Sequence, residues 1–332
     1  MKLFFVGDFK GNNGPANVNK MLKKNLPDTA FFATESKEVK RVLELLYKIP
    51  KSEGVVFSGL SKINIVGFVI ARIFNKKSAY LMHGSEEIEG EINKNKSKRA
   101  EDLERKVLKL APKVICVSEF FMEVLKKKYP PLASKITYVN NGVDWELLNF
   151  YSRISEVKKK NKILSIGGGI PLKNIRKVCE AIELLNTQSN YKLTLTVIGK
   201  YGKDSEYIKS FSFVKYYEKL SYRDTLKELK STNLYVQNSL FESFGLAPVE
   251  ALLGGSSILV SQNVGAKSLF KDLSEKDIIF DPNDINEISI KIKYLLKNSN
   301  HIRLISSIDR DNSDYENACQ NIIKIFENGE MF

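Results

Sequence analysis

Residues 233–260 read NLYVQNSLFESFGLAPVEALLGGSSILV. The apolar run Leu234–Leu240 has the composition of a buried strand, and it ends in Phe241-Glu242-Ser243-Phe244-Gly245. Leu246, Val249 and Leu253 then fall on one helical face before Gly254-Gly255, and a second apolar run follows. The order is strand, loop, helix, turn, strand. Pro248 fits a first helical turn, where backbone N–H groups lack intrahelical partners. The amides from Ser243 to Ala247 are thereby left pointing beyond the strand end, where they attract anions.

Two carboxylates bracket that cradle, Glu242 before the helix and Glu250 within it. A carboxylate beside an anion costs free energy unless it binds something else, and a vicinal diol offers it two hydroxyl donors. Two acids around one phosphate site therefore suggest two polyols flanking a diphosphate, which is the layout of a nucleotide sugar.

The run from Glu242 to Glu250 resembles the E-x7-E signature of retaining GT-B glycosyltransferases, in particular glycosyltransferase family 4. That resemblance implies that Glu242 hydrogen-bonds the donor sugar and Glu250 the ribose. It also implies that the stretch Ser243, Phe244, Gly245 and Leu246 serves the sugar and diphosphate.

On the N-terminal side, Lys162–Ile166 reads as a strand and leads into Gly167-Gly168-Gly169-Ile170-Pro171-Leu172-Lys173, then a helix to about Leu185. Close glycine amides and an ammonium suit a diphosphate. The segment resembles the family's G-R-x-x-x-x-K-G element, with Lys173 as its lysine. Where the family usually carries arginine this chain has glycine, at Gly168 or Gly169. One lost guanidinium contact removes about 1.5–3 kcal/mol of charged hydrogen bonding. Arg176, one turn beyond Lys173, is the candidate substitute. Leu193–Gly199 is the next strand, and the turn at Gly199 resembles the family's strand-end turn beside the nucleotide. Val214–Tyr217 is a short strand, and Ser221 caps a helix over Tyr222–Lys230. Asp309-Arg310-Asp311 has the D-x-D spacing of a cation site but lies past the last strand, between helices, and reads as a solvated linker.

The first half repeats the alternation. Lys2–Val6 reads as a strand ending in a loop with Gly11, Asn12, Asn13 and Gly14, the candidate acceptor or phosphate loop. The loop does not fit G-x-G-x-x-G, which disfavours a dinucleotide. Ser78–Met82 ends at His83-Gly84, similar to the family's H-G pair at the donor sugar, and an imidazole there can hydrogen-bond a hydroxyl or share a proton. The acidic stretch Glu86–Glu91 and the basic run after it read as a mobile loop closing over an acceptor. Val117-Ser118-Glu119 resembles the family's V-S-E/K segment, and Asn141-Gly142-Val143-Asp144 resembles its N-G-V-D turn at the end of the N-terminal domain.

The expected organisation is a Rossmann-like acceptor-side domain over 1–155 and a nucleotide-sugar domain over 156–308. The resemblance to GT-B folds implies that the two α/β domains face each other across a cleft and that a last helix in 309–332 crosses back to the first. A hydrophobic content of 43% and a charged content of 27% are those of a soluble globular protein. The longest apolar run, Ile63–Phe74, is broken by Asn64, Gly67 and Arg72 and falls short of the ~20 residues of a bilayer span. The N-terminal apolar run is too short for a signal peptide. Cys116, Cys179 and Cys319 read as buried thiols of a reducing compartment.

The net charge is +13, and residues 1–150, with 26 basic and 17 acidic side chains, carry most of it. The basic runs at 94–99, 126–128 and 158–160 lack the interleaved aromatics of a single-strand binder and match no helix-turn-helix or finger spacing. They suit an anionic membrane face instead.

Taken with the resemblance, these features imply a retaining hexosyltransferase of cell-surface polysaccharide or glycolipid assembly. It would be cytoplasmic and peripheral on the inner face of the membrane. Glu242, His83 and Lys173 are its catalytic candidates, with Gly168, Gly169, Gly199, Arg176 and Glu250 among the donor contacts. Its partners are a nucleotide-sugar donor and a glycan or lipid-linked acceptor; no nucleic acid, cofactor or metal is expected. The alternative is a non-catalytic companion of another transferase, suggested by the missing arginine.

Overall fold

The computed structural model describes residues 1–11, 13–188 and 192–328, so that Asn12 of the candidate loop lies outside the described residues. The chain forms two compact units, Met1–Val143 with Arg310–Phe332, and Asp144–Asp309.

The first unit holds β1 (Leu3–Val6), β2 (Phe31–Phe32), β3 (Gly54–Ser58), β4 (Lys77–Met82), β5 (Lys113–Cys116) and β6 (Ile136–Tyr138). They pair in the order β2-β1-β3-β4-β5-β6. The second holds β7 (Lys162–Ile166), β8 (Thr194–Ile198), β9 (Val214–Tyr217), β10 (Leu234–Gln237), β11 (Ser257–Ser261) and β12 (Ile278–Ile279), in the order β12-β11-β10-β7-β8-β9. Every pairing is parallel. Continuous apolar runs explain this. Leu3–Val6, Val55–Phe57 and Val114–Cys116 are buried along their length, as strands covered by helices on both faces must be.

In each sheet the strand order reverses at one place, between β1 and β3 in the first and between β7 and β10 in the second. Open α/β sheets bind ligands beyond the carboxyl ends of the strands at that reversal. The second sheet has the Rossmann order, and its core is built from Ile163, Val178, Ile182, Leu195, Val236 and Leu259 with their neighbours.

Two expectations are corrected. Glu86–Ile92 is a helix rather than a mobile loop. Ser85 caps it, accepting from Ile88 N, and three glutamates in the first turn favour the positive end of the helix dipole. Glu87 is pinned by Arg105 (2.9 Å), Lys128 (3.1 Å) and the Tyr129 hydroxyl (2.7 Å), which hold its carboxyl down at about 2. The first unit closes at Val143, not 155, because the helix Leu147–Ser152 packs on the helix Leu246–Leu253, with Tyr151 OH donating to Glu250 O at 3.0 Å. The three cysteines are buried thiols, and burial pushes Cys319 up to about 12.

The helix Tyr315–Glu327, capped by Asp314, packs within the first unit against the helix Gly14–Asn25. Phe326 is fully buried, and Val143 N donates to Ser313 O at 2.7 Å. No helix among the described residues is long and apolar enough to cross a membrane.

Candidate functional site

Lys173 stands at the end of a single turn, Pro171–Lys173, that follows β7. Asn174 next to it takes a left-handed conformation, φ 49°, and its buried side chain donates to Pro282 O at 2.7 Å. The lysine therefore leaves a fixed backbone. Glu242 lies beyond β10, where its own N–H donates to Asn263 O (2.9 Å) and its carbonyl accepts from Gly265 N (3.0 Å). Gly245, at φ +92°, lets the chain turn back into the helix Leu246–Leu253; a Cβ there would stand 3.0 Å from Glu242 Cγ.

These two fixed points bring Lys173 Nζ to 2.5 Å from Glu242 Oε2. The same oxygen accepts from Gln237 Nε2 at 2.5 Å, and Gln237 Oε1 accepts from Tyr235 OH at 2.8 Å. Both charged side chains are mostly covered, at 22% and 15% exposure, so neither is simply solvated. An ammonium and a carboxylate thus face each other at the reversal of the second sheet, beside a helix start with no side-chain cap.

Glu250 sits on the same helix. Its Oε1 accepts from Tyr222 OH at 2.9 Å, and burial pushes its carboxyl up to about 7, against the lowering effect of that hydrogen bond. Phe244 is buried, and its carbonyl accepts from Ala266 N at 2.7 Å.

The glycine turn does something other than present amides. Gly167 and Gly168 donate to Ile198 O, Gly169 to Lys200 O, and Gly199 to Tyr217 O. These amides tie the ends of β7, β8 and β9 together. A Cβ on Gly168 would collide with Lys200 O, and one on Gly169 with Ser205. The two turns pack backbone to backbone, and no arginine fits there as they stand. Arg176 does not replace it. Its guanidinium lies over the Tyr207 ring, 4.7 Å from the centroid, with Nε 3.4 Å from Glu180.

In the first unit, His83 follows β4 and Ser58 ends β3. Ser58 Oγ donates to Asn19 Oδ1 (2.6 Å), so its contact with His83 Nε2 (2.8 Å) has the imidazole as donor. Burial lowers His83 to about 4, and the ring is neutral at pH 7. Asn19 and Ser58 also line a cavity of about 550 Å³ beyond β1 and β3, together with Asp8, Asn13, Arg41 and Val66. The N–H groups of Lys10 and Gly11 both donate to Asp8 Oδ1 at 2.9 Å, and Asn13 caps the following helix, which begins at Gly14. The amides of Lys10 and Gly11 are thereby committed to Asp8, while Lys10, Arg41 and Lys62 also line the cavity.

The structure thus brings Lys173 and Glu242 together and leaves Arg176 apart. Gln237, Tyr222, Ser58 and Asn19 were not foreseen. Gln237 had a signal, since it is a buried polar residue closing an otherwise apolar strand.

Residues 150–310 match the family model for group 1 glycosyl transferases, and residues 55–147 match that for glycosyltransferase family 4. The chain belongs to these glycosyltransferases, of group 1 and family 4. Anabaena HepE, in a structure with UDP and glucose, has a similar fold at 16% identity (TM-score 0.71), with 99% of this chain and 100% of that one covered. Sucrose-phosphate synthase from Thermosynechococcus elongatus is similar at 13% identity (TM-score 0.72), with 98% of each chain covered. So is an α,α-trehalose-phosphate synthase from Burkholderia xenovorans, in complex with glucose-6-phosphate, at 10% identity (TM-score 0.69), with 98% and 100% covered. These likenesses define the fold as GT-B. No curated protein sequence matches the chain.

Proposed function

We propose that this glycosyltransferase moves a hexose from a nucleoside-diphosphate sugar to an acceptor hydroxyl with retention at the anomeric carbon, in cell-surface polysaccharide or glycolipid assembly. The observation that carries the reading is the pair Lys173–Glu242, 2.5 Å apart, at the strand-order reversal of the second sheet. A ligand with a diphosphate beside a polyol satisfies both partners by exchange: the ammonium goes to phosphate oxygens, and the carboxylate accepts from sugar hydroxyls. HepE has been seen with UDP-glucose, which makes that compound the first donor to test.

As the bond from the anomeric carbon to the phosphate oxygen breaks, negative charge grows on the diphosphate. Lys173 and the uncapped start of the helix Leu246–Leu253 stabilise that charge without reorganising, and no metal is required. Glu242, held by Gln237 and the Glu242–Gly265 backbone contact, orients the sugar. Glu250 accepts the ribose hydroxyls. His83, neutral and with Nε2 bonded to Ser58, is suited to hydrogen bonding rather than to taking up a proton.

The test is acceptor-dependent release of nucleoside diphosphate in the presence of chelator, with the anomeric configuration of the product read by NMR. Lys173→Ala lowers turnover on the order of a hundredfold or more if the charge it supplies is catalytic. One observation favours a second reading, a non-catalytic companion subunit: the crowding at Gly168 and Gly169 excludes the arginine usual there. Donor binding without release under any acceptor would favour that reading.

A further inference from the structure

The helix Glu38–Lys48 carries an apolar stripe on its outer face as well as the buried Leu45 on its inner one. Val39, Leu43, Leu46 and Tyr47 recur at the spacing of a core-facing stripe, yet they are 75%, 61%, 45% and 65% exposed. Its inner face buries Leu45 together with Glu44, which is held by Lys48 (2.7 Å) and by Thr34. The neighbouring helix Lys62–Ile73 packs alongside and exposes Val66, Val69 and Ile73 in the same manner, followed by Phe74. Eight large apolar side chains on two adjacent helices form more than the scatter of single exposed residues that any surface shows.

The charge around them has one sign. Residues 37–77 contain nine lysines and arginines against three glutamates, and one of those glutamates is the buried Glu44. The helix Lys62–Ile73 has no acidic residue, and Lys37, Lys40, Lys51, Lys62 and Arg72 are exposed. Among the described residues, the basic runs at 94–99, 126–128 and 158–160 have no such apolar stripe beside them, and in two of them one lysine is held: Lys128 by Glu87 and Glu91, and Lys158 by Thr232 O and Ser256 Oγ.

We infer that the outer face of these two helices docks on an anionic lipid bilayer, with its apolar side chains among the acyl chains and the surrounding lysines on the head groups. An apolar stripe rimmed by cations is the pattern of an interfacial helix, and each basic side chain near such a surface adds to the attraction. Self-association through the same face would set one strongly basic patch against an identical one. The lipid supplies the opposite charge. Arg41, Val42, Lys62 and Val66 belong to these helices and also line the 550 Å³ cavity, so docking brings the mouth of that cavity to the head-group layer. An acceptor carried on a lipid is then offered to it directly. This last step rests on the proposed lipid-linked acceptor; the docking itself does not.

The experiment is co-sedimentation of the full chain with vesicles of phosphatidylcholine alone and of phosphatidylcholine mixed with phosphatidylglycerol. Binding is expected to the anionic vesicles only and to weaken with salt. It is expected to fall about fivefold for each lysine removed in Lys40→Gln and Lys51→Gln. The pair Leu43→Gln with Ile73→Gln, both exposed, should abolish binding while leaving the melting temperature and the thermal shift by nucleotide sugar unchanged. Absence of vesicle binding, binding that ignores these substitutions, or sedimentation equilibrium showing a dimer that the Leu43/Ile73 pair dissolves would each overturn the inference. Because the thermal shift requires no lipid, its loss would count against the donor reading and leave the docking face standing.

Discussion

Glu250 combines burial with a single hydroxyl partner, and the outcome is a carboxyl that titrates near neutrality. Its folded value, about 7, lies above the ordinary 4.5. Its contribution to stability is therefore complete below pH 4.5 and is lost as the pH rises through 7, because ionising it in place costs free energy. Glu250→Gln should flatten that part of the stability curve, by at most about 3 kcal/mol, as read from urea midpoints across the range. On the proposed reading, ribose hydroxyls donating to the carboxylate would favour its charged form, so nucleoside-diphosphate binding should release a proton and tighten as the pH rises through 7. Calorimetry in buffers of different ionisation enthalpy measures this directly; equal heats would remove Glu250 from the nucleotide. The spacing of Glu242 and Glu250 could be read from the chain because a helix start fixes where both carboxylates go. The partner of each could not, since Gln237 and Tyr222 arrive through strand pairing and helix packing that no local pattern encodes.

The turn Gly167-Gly168-Gly169 shows the same division between what is local and what is not. Its glycines are legible as a close approach, but the body they approach is the neighbouring turn at Gly199 and Gly202 rather than a ligand. Restoring the arginine usual in the family is therefore expected to fail. Gly169→Arg should destabilise the protein by about 1–3 kcal/mol through overpacking and should not raise nucleotide affinity. Urea unfolding and a nucleotide thermal shift check both halves; a gain in affinity with undiminished stability would mean that the two turns part easily. The helix Glu86–Ile92 was misread for a comparable reason. A run of glutamates looks like solvated loop until Arg105, Lys128 and Tyr129, contributed by segments further along the chain, give Glu87 its partners. The helix Glu38–Lys48 carried a helical apolar period that could have been found in the sequence, but the side it faces could not.

Alternation of strand and helix patterns is enough to expect two parallel sheets, whereas the strand order, and with it the position of each reversal, is set by which crossovers bury their apolar faces. The boundary lies at 143 rather than 155 on the same grounds: the polar stretch Ser155–Asn161 reads as a linker, but Tyr151 packs against Gly254 and bonds Glu250 O, which commits its helix to the second unit. The C-terminal segment is the reverse case, distant in sequence yet part of the first unit. Phe326 lies fully buried against Gly54 of β3, where a Cβ would stand 2.6 Å from its ring, and Lys77 Nζ donates to Phe326 O at 2.5 Å. Cys319 and Ile322 are buried on the same helix, and Cys319 Sγ reaches Leu22 O at 3.6 Å. Ending the chain at Asp309 therefore strips a core layer from the first unit while leaving every strand of the second. Limited proteolysis of that truncation should degrade 1–143 and protect 144–309, and the nucleotide thermal shift should survive. Phe326→Ala, a milder lesion, should cost about 3–5 kcal/mol in the unfolding of the first unit alone. A truncated chain that resists protease throughout would mean that the first sheet closes its core without the last helix.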